Sequence, residues 1–159
     1  MPVFIIIMDA KEISKSLIKI YFWRLLPAVM LIVIAYLLKY HFKLSDTESV
    51  PGLMVSVVIT TLAGVAGIAA PIFYRSYFVY KSRDKKTILP DEFFGFERIL
   101  LTTALMSPYF LVISVLINMN ETANMLITIF ALYAVYYYFP TEKKMRFEMK
   151  IFRIKPTKQ

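Results

Sequence analysis

The sequence predicts an all-α integral membrane protein, organised as a four-transmembrane-helix bundle. Two observations carry this prediction: 58% of the 159 residues are hydrophobic against 19% charged, and the apolar residues gather into four long runs. Soluble domains contain roughly 45–50% apolar residues. A helix that crosses a membrane needs about 20 mostly apolar residues. The composition therefore fits membrane spans better than the core and surface of a soluble domain.

The predicted spans comprise residues 20–38, 52–73, 99–117 and 123–139. The first contains Arg24 and is expected to kink at Pro27, whereas the other three contain no charged residue. Only residues 118–122 separate the last two spans, which predicts an antiparallel hairpin. The first span is too long for a signal-peptide core and no Ala-x-Ala-like cleavage site follows it, so we expect a permanent helix.

The distribution of Lys and Arg predicts the orientation. Of the 19 basic residues, four precede or enter the first span, six lie in the 74–98 loop region, and seven lie in the 140–159 tail, which places 17 on one side. Basic residues are enriched on the cytoplasmic side of membrane proteins. We therefore predict a protein of the cytoplasmic (inner) membrane, with both termini in the cytoplasm.

The N-terminal segment 1–19 has a short apolar run at residues 3–8, followed by Asp9 and Glu12, a spacing that predicts a helix from Ala10. In this helix Ile13 and Leu17 share one face and the lysines another. Two interpretations remain open: an amphipathic helix lying in the headgroup layer, or a cytoplasmic extension of the first span.

The tail 140–159 begins with Pro140, which ends the fourth span, and then alternates basic or acidic residues with apolar ones from Lys144 to Ile151. This period of two predicts a β-strand that pairs with the 3–8 run, with the tail of another subunit, or with the membrane surface. A basic interfacial helix is the alternative.

The second span has small and hydroxyl-bearing residues at helical spacing. One interpretation is a helix-packing seam, since small residues let helices in lipid approach closely. The other is a polar path through an oligomer, since a narrow pore needs hydroxyl or backbone groups. The candidate residues are Ser56, Thr60, Thr61, Ala63, Gly64 and Gly67.

Three charged residues lie near the predicted membrane boundary: Arg24, Glu97 and Arg98. Such side chains usually extend toward the headgroups. An alternative is an Arg24–Glu97 pair that joins the first and third spans.

The tail carries seven basic and two acidic residues, a net charge of +5. A basic segment beside a membrane attracts anionic lipid headgroups, and we expect that contact rather than nucleic-acid binding. The expected contact residues are Lys143, Lys144, Arg146, Lys150, Arg153 and Lys155.

Catalysis and cofactor binding have little support in the sequence. There is no cysteine and only one histidine, His41, and the interiors of the predicted spans contain no Asp, Glu or His. We expect no catalytic residue, metal site or cofactor. The leading functional expectation is a non-enzymatic subunit or accessory partner of a membrane assembly. The alternatives are a homo-oligomeric pore or small transporter lined by the second span, and an immunity-type protein that binds a membrane-active toxin.

Overall fold

The structure is a computed structural model that describes residues 10–41, 51–83, 85 and 87–154. The described chain is helical and contains no strand. Within these ranges seven α-helices follow one another: α1 (Ala10–His41), α2 (Leu53–Gly64), α3 (Ala70–Ser82), α4 (Pro90–Ala104), α5 (Ser107–Leu116), α6 (Glu121–Tyr137) and α7 (Glu142–Ile151). A π-helical turn, Val65–Ala69, joins α2 to α3.

Helix α1 is continuous over 32 residues and includes Pro27. It begins at Ala10, the start that the sequence predicts, while Asp9 and the apolar run 3–8 lie outside the described residues. Its first turns bury Ile13 and Leu17 in the same core as α4 and α7. The amphipathic segment is therefore the packed beginning of the first long helix.

Helices α2 and α3 form one long apolar unit, interrupted only by the π turn. Pro71 explains the interruption, because proline has no N–H to donate to the carbonyl four residues earlier. In the π turn the N–H of Ala70 donates instead to the carbonyl of Val65, five residues back.

The predicted third span is two helices, α4 and α5, with a break at Leu105 and Met106 that the sequence prediction lacks. Pro108 again explains the break, because it cannot donate to the carbonyl of Ala104. Helix α5 lies centrally and packs against α1, α2 and α6. A short turn with Asn118 at φ 56° leads into α6, whose N-cap is Asn120.

The β-strand predicted for the tail is wrong, because residues Glu142–Ile151 form helix α7. Thr141 caps its N-terminus by accepting a hydrogen bond from the Lys144 N–H, and Glu142 pairs with Arg146 one turn later. The buried residues are Met145, Glu148, Met149 and Phe152, which follow the helical period and not the alternation. The second interpretation, a basic helix, is the correct secondary structure.

Among the described residues, three helical units are long and apolar enough to cross a membrane: Ala10–His41, Leu53–Ser82 and Pro90–Leu116. A fourth is present if α6 and α7 are taken as one span, although they meet at a bend of 77°. Two main cores hold the bundle together. One lies among α2, α5 and α6, and the other gathers the first turns of α1 with α4 and α7.

Candidate functional site: a buried carboxyl pair between α4 and α7

Two glutamates are buried where α3, α4 and α7 meet. Glu97 of α4 is 4% exposed and Glu148 of α7 is 3% exposed. Acidic residues are almost never buried to this extent unless they have a partner. This carboxyl pair is therefore the most unusual polar feature of the described chain and the best candidate for a functional site.

Helix α7 positions Glu148. Its capped N-terminus fixes where the helix begins, and its C-terminus closes through hydrogen bonds from the N–H groups of Arg153 and Ile154 to the carbonyls of Lys150 and Met149. Arg153 has φ 51° there, the left-handed conformation common at helix ends. Glu148 consequently falls between Met145 and Met149 on the face that packs against the bundle.

Arg75 of α3 provides the countercharge for Glu148. Its Nη1 donates to Glu148 Oε1 at 3.1 Å, and its side chain is 35% exposed. Arg75 therefore contacts the buried carboxylate with its guanidinium while part of its side chain stays exposed at the bundle surface.

One oxygen of each carboxyl has no hydrogen-bond partner. Glu97 Oε1 and Glu148 Oε2 are buried and accept no hydrogen bond, although the two carboxyls lie within hydrogen-bonding reach of each other. Glu97 precedes the charge-free run 99–117. Burial, and next the adjacent Glu148 carboxyl, raise the pKa of Glu97 well above its ordinary value.

Lys144 lies one turn before Glu148 on α7. Its Nζ donates to the carbonyl of Tyr137 at 3.0 Å and sits 5.4 and 5.3 Å from the ring centres of Tyr137 and Tyr138. Desolvation by burial lowers the pKa of the Lys144 ammonium, while the nearby Glu148 and Glu97 oppose that change.

A cluster of aromatic rings joins the same helices as the carboxyl pair. The rings of Phe78 and Phe96 stack at a centroid distance of 4.1 Å, and Phe152 meets Phe96 edge-on at 5.7 Å. The Tyr74 ring also stacks with Phe96, at 5.5 Å. Because α3, α4 and α7 each contribute a ring, the aromatic cluster and the carboxyl pair hold the same three helices.

An open groove of about 670 Å³ lies beside Arg75, between α3 and the end of α7. Its basic lining residues are Arg75, Arg83, Lys85 and Arg153, and its apolar lining includes Ile88 and Phe152. Lys85 pairs with Glu92 at 2.8 Å and Arg75 with Glu148, so two of these four charges are already neutralised within the chain.

Metal binding is not favoured at the carboxyl pair. Within the described ranges no group of three or more Asp, Glu, His or Cys side chains could hold a metal ion. Arg75 and Lys144 also bring two positive charges to the same place, which disfavours a divalent cation.

The small residues of the second span mostly face the bundle. Ser56, Ala63 and Gly67 are buried. A Cβ on Gly64 would lie 3.2 Å from the Phe130 ring, and one on Gly67 would lie 3.0 Å from Ser107 Oγ.

Ser107 is itself fully buried and donates to the Ala63 carbonyl at 3.3 Å. Thr60 Oγ1 is buried without a hydrogen-bond partner, and Thr61 is exposed. The structure thus brings most of these residues together against α5 and α6.

The boundary charges do not meet in the way that one alternative supposed. Arg24 and Arg98 are exposed, and the Arg24 carbonyl accepts a hydrogen bond from Tyr109 at 2.8 Å. Glu97 lies instead beside Glu148. Of the expected lipid contacts, Lys143, Arg146, Lys150 and Arg153 are exposed, Lys144 is half-buried, and Lys155 lies outside the described residues.

Sequence reasoning missed Arg75 and Glu148 as site residues. From the sequence, Arg75 is one of six basic residues in the 74–98 region. The predicted strand places Glu148 on its polar side. With a helical period, Glu148 falls on the same face as the apolar residues Met145, Met149 and Phe152. An acidic residue within an apolar face is the sequence signal that points to a buried site.

Comparisons with protein-family models, with curated proteins and with solved structures found no match to this chain.

Proposed function

We propose that the chain is a four-span protein of the cytoplasmic membrane, with both termini in the cytoplasm, and that it acts as a non-enzymatic subunit or accessory partner of a larger membrane assembly. The charge-free spans and the positions of the basic residues support the membrane and the orientation. Anionic lipid headgroups at the cytoplasmic face are the expected lipid contacts.

The observation that carries the partner role is the way α1 meets the bundle. Between residues 22 and 41, α1 buries only two small side chains, Ala28 at 0% and Ala35 at 2% exposure. Large apolar side chains on its outer side, such as Met30, Val33 and Leu37, remain about half exposed or more. In contrast to α5, this helix retains a broad apolar face that a helix of another subunit can cover in the membrane.

In-membrane photocrosslinking tests this role. A photoreactive residue at Ile34 on α1 should give a discrete crosslinked product, whereas one at Leu132 on α6 is the matched control and should give only lipid adducts. Purification in mild detergent should yield an assembly larger than one chain. A stable monomer without partner, combined with unchanged membrane complexes after deletion of the protein, would contradict the proposal.

The orientation has its own test, because the chain has no native cysteine. A cysteine introduced at Lys150 should react with a membrane-impermeant reagent only after the membrane is permeabilised. Labelling in intact cells would exclude a cytoplasmic tail.

The pore alternative has less support, because Ser56, Ala63 and Gly67 are covered by the chain's own helices. Flux through liposomes that depends on Thr60 or Ser56, and is lost in Thr60→Leu or Ser56→Leu, would favour the pore over the subunit role. The immunity-type alternative would instead require that the protein protect cells from a membrane-active toxin.

A further inference from the structure

The carboxyl pair contains two buried oxygen atoms that accept no hydrogen bond, Glu97 Oε1 and Glu148 Oε2. Buried polar atoms are nearly always hydrogen-bonded, and an ionised carboxylate can only accept. Two ionised carboxylates placed side by side would therefore repel each other without any donor between them. The two unpartnered oxygens therefore need a proton or a cation between them.

A proton fits the site better than a metal ion or a solvent cation. Calcium takes six to eight oxygen ligands, and within the described residues no third acidic or histidine side chain joins the two glutamates. Exposures of 4% and 3% leave no opening for a larger ligand. One proton gives a carboxyl O–H that donates to the neighbouring carboxylate and satisfies both oxygens at once.

We propose that Glu97 and Glu148 form a proton-binding site in which one shared proton fixes α7 against α3 and α4. The proton belongs mainly to Glu97. Arg75 donates to Glu148 Oε1 at 3.1 Å, which leaves Glu148 Oε2 to accept from the Glu97 carboxyl.

The charged and titratable neighbours agree with this assignment. Helix α3 contributes Arg75, α7 contributes Lys144, and the end of α6 contributes Tyr138. Helix α1, which packs on α7, adds the apolar Ala10, Ile13 and Leu17 to the surrounding core. Its buried Ser14 donates to the Pro140 carbonyl at 2.8 Å and brings no charge. Lys144 Nζ donates to the Tyr137 carbonyl, and its charge lies close enough to act on both carboxyls. The raised pKa of Glu97 is consistent with a carboxyl that is protonated at neutral pH.

Loss of the shared proton should loosen α7. Two adjacent negative charges would then be buried, and only Glu148 has an ion-pair partner, Arg75. The lowest-cost relief is for α7 to move into water. This helix is joined to α6 through a short bend and packs through one face. The docking of α7 should therefore weaken as the pH rises, which makes the position of the basic tail respond to cytoplasmic pH.

Infrared spectroscopy of the full chain in lipid nanodiscs tests for the proton directly. At pH 7 the wild-type protein should show the carbonyl-stretch band of a protonated carboxyl. This band should be lost in Glu97→Gln and shifted in Glu148→Gln, where the Glu97 O–H no longer has a carboxylate acceptor. Glu142→Gln is the matched control, because Glu142 lies on the same helix in an exposed ion pair, and it should keep the band.

Three outcomes would overturn the proton-binding site. They are no band in the wild type at pH 7, a band that survives in Glu97→Gln, or a band that appears only after Na⁺ and K⁺ are replaced by choline. The last outcome would mean that a cation occupies the site. The wild-type measurement decides the matter even if a variant fails to fold.

A distance measurement tests the docking of α7. Spin labels on cysteines introduced at the exposed Ser76 and Lys150 report the separation of α3 from α7, and no native cysteine interferes. The fraction of molecules with a longer label-to-label distance should grow as the pH rises. In Glu97→Gln the amide N–H replaces the proton, so the midpoint should move up by at least about one pH unit, a tenfold change. Identical pH profiles in wild type and Glu97→Gln would refute the coupling.

Discussion

The two main cores of the bundle are packed in different ways. Between α2, α5 and α6, close packing depends on small residues, with Gly67 against Ser107 and Gly64 against Phe130. Between α3, α4 and α7, large rings surround charged groups, and an ion pair and two carboxyls lie beneath them. The first arrangement suits lipid, where packing drives helix association. The second has to satisfy buried charges within the protein itself, because its two carboxyls are only 4% and 3% exposed.

The two cores should differ in how their stability depends on pH and salt. The core of small residues has little to titrate, so its stability should be nearly independent of pH and salt. The charged core contains Arg75, Glu97, Lys144 and Glu148, so its stability should respond to both. Substitutions that act on one core and spare the other can break or sharpen the comparison.

The largest effect is expected from Phe96→Ala in the charged core. Phe96 is 2% exposed and contacts the rings of Tyr74, Phe78 and Phe152. Truncation should lower the free energy of unfolding by about 3–5 kcal/mol. Thermal unfolding in detergent measures the change, and Phe147→Ala, 63% exposed on α7, is the control that should stay near wild type.

Arg75→Met should come next, because it leaves Glu148 buried without its countercharge. Removing one member of a fully buried pair costs roughly 3–5 kcal/mol. We expect about 2 kcal/mol, since the Arg75 side chain is 35% exposed and solvent screens part of the interaction. Arg146→Met, in an exposed pair with Glu142, should have little effect on the melting temperature. Equal losses in the two variants would contradict the buried role of Glu148.

Two glycine substitutions should change the stability of the protein in opposite directions. Gly67→Ala places a Cβ 3.0 Å from Ser107 Oγ and should destabilise the core of small residues by about 1 kcal/mol. Gly95→Ala meets nothing within 4 Å in the middle of α4 and should stabilise the protein by about 0.5–1 kcal/mol. Thermal unfolding of both variants at two pH values checks the signs and the pH independence.

The smallest effect concerns Lys144. Because the folded protein lowers the Lys144 pKa, the cost of burying the charged ammonium is present below the folded-state pKa. It fades as the pH rises toward the ordinary value of 10.5. Lys144→Met should remove this rise of stability with alkaline pH. The slope from Glu97 has the opposite sign, so a Lys144→Met protein should lose stability more steeply with rising pH than wild type does. An unchanged profile would exclude a role for Lys144 burial.

Much of the helical framework was predictable. Runs of apolar residues predict the positions of the long helices, and Pro140 follows the end of α6 as expected. These features are local, and local patterns decide where a helix begins and ends. The small residues of the second span were also identified, although their partners, Phe130 and Ser107, depend on tertiary packing.

The tail was harder to predict, because the segment from Lys144 to Ile151 fits both the two-residue period of a strand and the 3.6-residue period of a helix. Polar and apolar residues alternate, yet Met145, Glu148, Met149 and Phe152 also form a helical face that includes one acid. Capping by Thr141 and packing against the bundle decide in favour of the helix. The carboxyl pair joins residues 51 positions apart in sequence, and only the packing of α4 on α7 reveals it.

The π turn at Val65–Ala69 also sets the direction in which Arg75 points. Successive residues of an α-helix are separated by a rotation of about 100°, and a π turn adds roughly one residue without advancing the helix by a full step. All of α3 is therefore turned about its axis relative to an uninterrupted helix. Converting this turn to regular α geometry at the same chain length would swing the guanidinium roughly a quarter of a circle away from Glu148, whereas deleting one residue as well would leave α3 facing the same way. The length of one apolar turn thus governs whether a charge elsewhere on the helix finds its partner.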